Sequence, residues 1–140
     1  MRRPATALTI GAIAFAAAGC GTSDKGSSNG GNDGSQPDAN APAQHPSALV
    51  GEVGKNDAFT ISLSDDQGTQ ITNLAAGTYK LTVHDDSSIH NFHLAGAGVN
   101  EITSVGNKGD ETFTVTFKPG TYTFVCDPHV STMNGHFRVS

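Results

Sequence analysis

Cysteine is scarce in this sequence, whose 140 residues contain only Cys20 and Cys126. Two cysteines exclude a disulfide-rich scaffold. A bond between them would tie a segment that we expect to be flexible to a folded domain, so we do not expect it. If the protein is exported, an unpaired Cys126 is exposed to oxidation unless it is deeply buried or bound to a metal.

Basic residues are also few, with eight Lys and Arg against thirteen Asp and Glu and a formal net charge of −5. Without Arg2 and Arg3, which precede the first apolar stretch, six basic residues face thirteen acidic ones, a net charge of −7. Binding to a phosphate backbone needs a basic surface, so we expect no nucleic-acid partner. A basic protein partner is favoured by this charge.

The chain lacks an apolar run long enough to be a convincing membrane span. The longest run, Ala5 to Ala18, follows Met-Arg-Arg and is rich in small residues, which is typical of a secretory signal segment. It ends in Ala17-Ala-Gly-Cys20, which resembles a bacterial lipoprotein processing site. We therefore predict a signal peptide over residues 1–19, acylation of Cys20 and a membrane-anchored protein on the extracytoplasmic face, in the periplasm or at the cell surface. Plain secretion, with Cys20 left as a free thiol, is the alternative.

Large apolar residues are missing from residues 21–47, where Gly, Ser, Asn and Asp give way to Pro and Ala. Such a segment cannot bury enough surface to fold, and we predict a flexible linker over residues 20–47. It would tether the anchored domain.

From Ala48 onward, no stretch repeats its apolar residues with the 3.6-residue period of a helix. Short segments with alternating apolar residues are separated instead by turn residues. These segments place the following residues inward: Phe59, Ile61 and Leu63; Tyr79, Leu81 and Val83; Phe113, Val115 and Phe117. About seven such strands predict one all-β domain over residues 48–140, an antiparallel Greek-key β-sandwich.

The stretch from Thr121 to Val139 has the pattern of a strand, a short loop and a second strand. Its loop contains Cys126, His129 and Met133, so a thiol, an imidazole and a thioether lie within eight residues. A further imidazole is available upstream at His90. Two His and one Cys with a more distant Met form the ligand set of a blue-copper site.

Cys126-Asp-Pro-His129, followed by Met133, resembles the C-terminal ligand loop of the plastocyanin-like cupredoxins, although the spacing from His129 to Met133 is one residue shorter than is usual in plastocyanins. His90-Asn91 resembles the upstream ligand of that family and the Asn beside it. The resemblance covers roughly residues 48–140. It implies one type 1 copper held by His90, Cys126 and His129, with Met133 as a long axial ligand and Asn91 hydrogen-bonded near the Cys backbone.

Each residue also has a simpler interpretation: a core thiol for Cys126, a surface imidazole for His129 and a packing side chain for Met133. The rival of His90 as upstream ligand is His93. We favour His90 because alternation places it on the inward face, and His93 on the other.

These features predict an exported, monomeric protein that cycles between Cu(I) and Cu(II) and passes electrons between protein redox partners. With one ligand cluster, it is not expected to be an enzyme. Copper storage, delivery or sensing would use the same ligands and remains an alternative, as does a metal-free structural sandwich. A nucleophilic role for Cys126 with His129 as base is disfavoured, because no third orienting group is evident.

Overall fold

The structure is a computed structural model that describes residues 40–140. The predicted signal peptide, Cys20 and the linker up to residue 39 lie outside the described residues. Nine strands make up the described part: β1 (Leu49–Val53), β2 (Ile61–Asp65), β3 (Asn73–Leu74), β4 (Gly77–Asp85), β5 (His93–Gly96), β6 (Val99–Ile102), β7 (Gly109–Phe117), β8 (Gly120–Val125) and β9 (Asn134–Val139). Two single 3-10 turns, Lys55–Asp57 and Asp127–His129, are the helical elements of this region, and neither approaches the length of a membrane-spanning helix.

The strands form two sheets, in the order β2-β1-β4-β7 and β3-β9-β8-β5-β6, which confirms the predicted β-sandwich. The sheets are not purely antiparallel as expected, because β1 pairs in parallel with β4, and β3 with β9. After β2 the chain crosses to the other sheet, where it forms β3. It then returns to the first sheet at the end where β1 begins, so β4 runs in the same direction as β1. We call the opposite end, where β1, β4 and β8 finish and β9 starts, the ligand end.

The core lies between the sheets and is rich in aromatic rings. Tyr122 and Phe137 stack with centroids 5.4 Å apart, and Phe117 meets both rings edge-on. The Tyr122 hydroxyl, fully buried, donates to the Lys118 carbonyl and accepts from the Lys118 N–H, at 3.0 Å each. Alternation thus placed these side chains correctly. Each buried aromatic side chain removes about 150–250 Å² of its surface from water. These rings therefore supply much of the apolar surface that the core buries.

Residues that the sequence assigned to the end of the linker are bonded to the sandwich. Gln44 pairs with Leu74 as an isolated bridge, its N–H donates to the Asn73 carbonyl at 2.7 Å, and its carbonyl accepts from the Ala75 N–H at 2.9 Å. The sandwich therefore takes in residues before Ala48. Since Leu74 pairs with Val139 at the far end of β9, this contact lies at the end of the sandwich opposite the ligand end.

Candidate metal centre

The loop between β8 and β9 closes tightly on itself. The Cys126 N–H donates to the Met133 carbonyl at 3.0 Å, the His129 N–H to the Cys126 carbonyl at 2.9 Å, and the Met133 N–H to the His129 carbonyl at 2.8 Å. Pro128 supports the 3-10 turn, since its fixed φ suits the first turn of a helix. Cys126 and Met133 thus face each other across the base of the loop, and both are buried.

His90 lies in the connection between β4 and β5, before β5 begins, and not within a strand. Its side chain is fully buried, as are those of Phe92 and Leu94, whereas His93 is partly exposed. His90 is therefore buried as predicted, although Asn91, between it and Phe92, is buried as well.

The structure brings three of the predicted ligands together at the ligand end. The His90 Nδ1 is 3.0 Å from the His129 Nδ1, and the Cys126 Sγ is 3.6 Å from the first and 3.5 Å from the second. His90 and Cys126 are fully buried, and His129 is partly exposed. Within the described residues, this is the group of His, Cys and carboxylate side chains arranged to hold a metal ion.

These donors fit a first-row metal ion. The point equidistant from the three atoms in their plane lies about 2 Å from each, close to common metal–nitrogen bond lengths and slightly short of metal–sulfur ones. Both imidazoles present Nδ1 to this point, and a metal bound at Nδ1 would require each ring to carry its proton on Nε2. A trigonal set of two imidazoles and one thiolate is the arrangement that selects copper.

Asn91 joins the two ligand-bearing segments. Its Oδ1 accepts from the Asp127 N–H at 2.8 Å, and its Nδ2 donates to the Asp127 Oδ2 at 2.8 Å. Both bonds attach the residue after His90 to the residue after Cys126. The contact near the Cys126 backbone that the sequence assigned to Asn91 is present.

Asp127 also bonds to His93, the residue that we considered and rejected as a ligand. His93 Nδ1 is 2.9 Å from Asp127 Oδ1, and its Nε2 is 3.0 Å from Asn100 Oδ1. The hydrogen bond to Asp127, and then the one to Asn100, raises the pKa of His93 above its ordinary value. Burial raises the pKa of Asp127, but the hydrogen bonds from His93 and Asn91 outweigh burial and hold that pKa below its ordinary value. Both hydrogen bonds favour the protonated form of His93, which then pairs with the ligand loop through Asp127.

Thr103 supports the His90 segment, a role that no sequence pattern indicates. Its hydroxyl accepts from the Phe92 N–H at 2.8 Å and contacts Asp85 Oδ2 at 3.5 Å, and its N–H donates to the Phe92 carbonyl at 2.9 Å. Asp85 in turn accepts from the Ser87 N–H at 3.0 Å. Burial raises the pKa of Asp85, and the bonds from Ser87 and Thr103 oppose that rise.

The connection between β1 and β2 forms a wall of the centre that the sequence also did not indicate. Gly54 adopts a left-handed φ of 67°, and a Cβ there would lie 2.9 Å from His90 Cδ2 and 2.4 Å from Ser87 Cβ. Only glycine fits this close approach without displacing the ligand. The prediction that Phe59 points inward is wrong: its side chain is 56% exposed and its ring lies against both ligand imidazoles.

Taken together, the fold and the centre define a β-sandwich protein with one copper site of two imidazoles and a thiolate. Residues 55–140 match the family described as copper binding proteins, plastocyanin/azurin family, and the chain belongs to that family. Copper is its cofactor, as the resemblance implied. No curated protein matches the chain by sequence.

Solved structures of rusticyanin share the fold. A methionine-to-glutamine mutant of rusticyanin aligns with a TM-score of 0.52 and 19% identity over 66% of this chain and 76% of that one. Reduced rusticyanin aligns with a TM-score of 0.52 and 16% identity over 75% of this chain and 90% of that one. At these identities the likeness concerns the fold alone.

Proposed function

We propose that this protein carries single electrons between protein partners on the extracytoplasmic side of a membrane. The observation that carries the proposal is the convergence of His90, Cys126 and His129 around one point at the ligand end, in a rigid and largely buried setting. Copper bound there would supply a one-electron couple between Cu(I) and Cu(II). Thiolate and imidazole ligands suit both states, so a fixed geometry reduces the rearrangement at each transfer.

The residues of the chain supply that rigidity. Asn91 joins the two ligand segments, Thr103 fixes the backbone of the His90 segment, and the closed loop sets the spacing of Cys126 and His129. Met133 would add a weak thioether donor to the copper, since it is buried and its backbone pairs with that of Cys126. The spacing from His129 to Met133 is one residue shorter than is usual in plastocyanins. The tight turn closed by the hydrogen bond from the Met133 N–H to the His129 carbonyl accommodates it.

We assign His129 as the point of electron entry and exit, since it is the one of the three ligands that reaches the surface. Two exposed apolar side chains lie beside it, its sequence neighbour Val130 and Phe59, whose ring centroid is 4.7 Å from that of His129. An apolar surface of this kind suits brief docking to a partner. Outside it the chain is acidic, so the partner is expected to be basic, and the protein is expected to act as a monomer.

The first described residues of the chain contact the sandwich at the end opposite the ligand end. Gln44 pairs with Leu74 there, through hydrogen bonds to Asn73 and Ala75, so the described chain enters the sandwich far from His129. We propose, from the resemblance of residues 17–20 to a lipoprotein processing site, that the protein is a membrane-anchored, extracytoplasmic electron carrier and not an enzyme.

The test is a spectrum and a voltammogram of the purified, copper-loaded protein. We expect an intense thiolate–copper band near ~600 nm, narrow copper hyperfine splitting in paramagnetic resonance and a reversible one-electron wave. Cys126→Ser should lose the band and keep the circular dichroism of the folded sandwich. Absence of the band from the natural sequence would overturn the copper–thiolate centre. A band without reversible electron exchange would favour copper storage or delivery instead.

A further inference from the structure

Phe59 occupies an unusual position for a large aromatic side chain. Its ring centroid lies 5.0 Å from that of His90 and 4.7 Å from that of His129, with interplanar angles of 79° and 77°. The two imidazoles are themselves 4.7 Å apart at 67°. Three rings thus form one edge-to-face cluster: Phe59 is exposed, the ligand His129 is partly exposed and the ligand His90 is buried.

The backbone around Phe59 is fixed. The Asp57 N–H donates to the Gly54 carbonyl at 2.8 Å, and the Gly54 N–H donates to the Thr60 carbonyl at 3.0 Å, which closes the loop between β1 and β2. Asn56 and Asp57 both adopt a φ of 57°. Lys108, on the connection before β7, forms an ion pair with Asp57 at 3.6 Å. The ring is therefore held over the centre by a closed loop.

The same loop contacts the buried ligand from a second side. Gly54, at the start of the loop, lies so close to the His90 ring that an added Cβ would sit 2.9 Å from Cδ2. His90 is thus enclosed by Gly54 and Phe59. His129, which has no such support from the loop backbone and is partly exposed, depends on its own turn and on Phe59.

We propose that Phe59 is a positioning residue of the copper centre, whose ring covers the two histidine ligands, restricts rotation of the His129 ring and keeps water and small anions away from the metal. The inference rests on the proposed copper function. Edge-to-face aromatic pairs hold rings in a defined orientation, and a ring in that position excludes solvent from the space beneath it. Phe59 is exposed because its ring packs on the ligand imidazoles and not in the core. The outer face of that ring forms the surface of the centre.

Phe59→Ala tests the proposal, with Val130→Ala as the matched control. Val130 is also 56% exposed and follows His129 directly, but it has no ring to pack on the imidazoles. In the metal-free protein we expect iodoacetamide to alkylate Cys126 faster in Phe59→Ala, as measured by peptide mass spectrometry. The rate should rise by up to about tenfold, the factor that corresponds to the free energy of one strong aromatic pair. In the copper-loaded protein, azide should shift the ~600 nm band of Phe59→Ala at concentrations that leave the natural protein and Val130→Ala unchanged.

Two further variants make the test decisive. Phe59→Tyr keeps the ring and should behave like the natural protein, whereas Phe59→Leu keeps an apolar cover without the ring and should show intermediate alkylation. If Phe59→Ala does not fold, as judged by circular dichroism, the comparison of Phe59→Leu with Phe59→Tyr decides the question in the same way.

Equal alkylation rates and equal azide responses in the natural protein, Phe59→Ala and Val130→Ala would overturn the proposal for Phe59 and leave the copper function intact. If the natural protein itself shows no thiolate–copper band, it is the copper function that fails. The two failures are therefore distinguishable in one set of samples.

Discussion

Replacing Thr103 by valine should test how the His90 ligand is held. Valine has nearly the same shape as threonine but cannot accept the hydrogen bond that the Phe92 N–H donates at 2.8 Å. Thr103 is 5% exposed and Phe92 is 1% exposed, so water does not readily replace the lost acceptor. A buried donor left without a partner costs about 1–3 kcal/mol. The contact to Asp85, at 3.5 Å, is long and adds little.

We therefore expect Thr103→Val to lower the free energy of unfolding by about 1–3 kcal/mol, measured by urea denaturation of the metal-free protein. For a domain of this size each 1 kcal/mol corresponds to roughly 4–8 °C in Tm. Thr103→Ser keeps the hydroxyl and should recover most of the loss. Thr114→Val, at an exposed position of β7, is the control and should change the free energy by less than about 0.5 kcal/mol. If Thr103→Val and Thr114→Val are equally mild, the hydroxyl does not support the ligand segment.

Three other substitutions probe the centre and the packing next to it. Met133→Leu should retain copper and raise the reduction potential, because loss of the weak thioether donor disfavours Cu(II); an unchanged voltammogram would remove Met133 from the axial position. Gly135→Ala places a Cβ 2.2 Å from the Phe124 ring and should destabilise the metal-free protein by about 1–3 kcal/mol in urea titration, and a neutral effect would contradict that packing. The His93–Asp127 pair stabilises the fold while both groups are charged. The natural protein should therefore exceed His93→Asn in unfolding free energy, by less than about 1 kcal/mol. This gap should be largest between pH 3.8 and 6.5. It should shrink as pH rises through the raised pKa of His93 or falls through the lowered pKa of Asp127, and a gap that grew with pH would refute the pairing.

The parts of the centre that sequence patterns indicated are local ones. Cys126, His129 and Met133 are adjacent in one loop, and the turn that gathers them is encoded within eight residues, including Pro128. Alternation favours His90 over His93, and His90 is the buried residue, but it lies before β5 and its neighbour Asn91 is buried as well, so alternation along a strand does not explain its burial.

The same alternation failed for Phe59, for a reason that the structure makes clear. It predicted an inward ring because Ile61 and Leu63 lie at even spacing from it. The strand begins only at Ile61, and the residues before it belong to a loop with left-handed backbone at Asn56 and Asp57. Side-chain alternation holds within a strand and ends where the extended backbone ends.

The amino-acid sequence by itself determined the strand segments, the ligand types and the acidic charge, because each depends on residue identity and on spacing over a few residues. The tertiary structure alone decided that β1 and β4 run parallel, that Thr103 supports the His90 segment from 11 residues away, and that Phe59 covers the ligands. These contacts join segments distant along the chain. Their partners are selected by how the two sheets pack, which no local pattern of residues encodes.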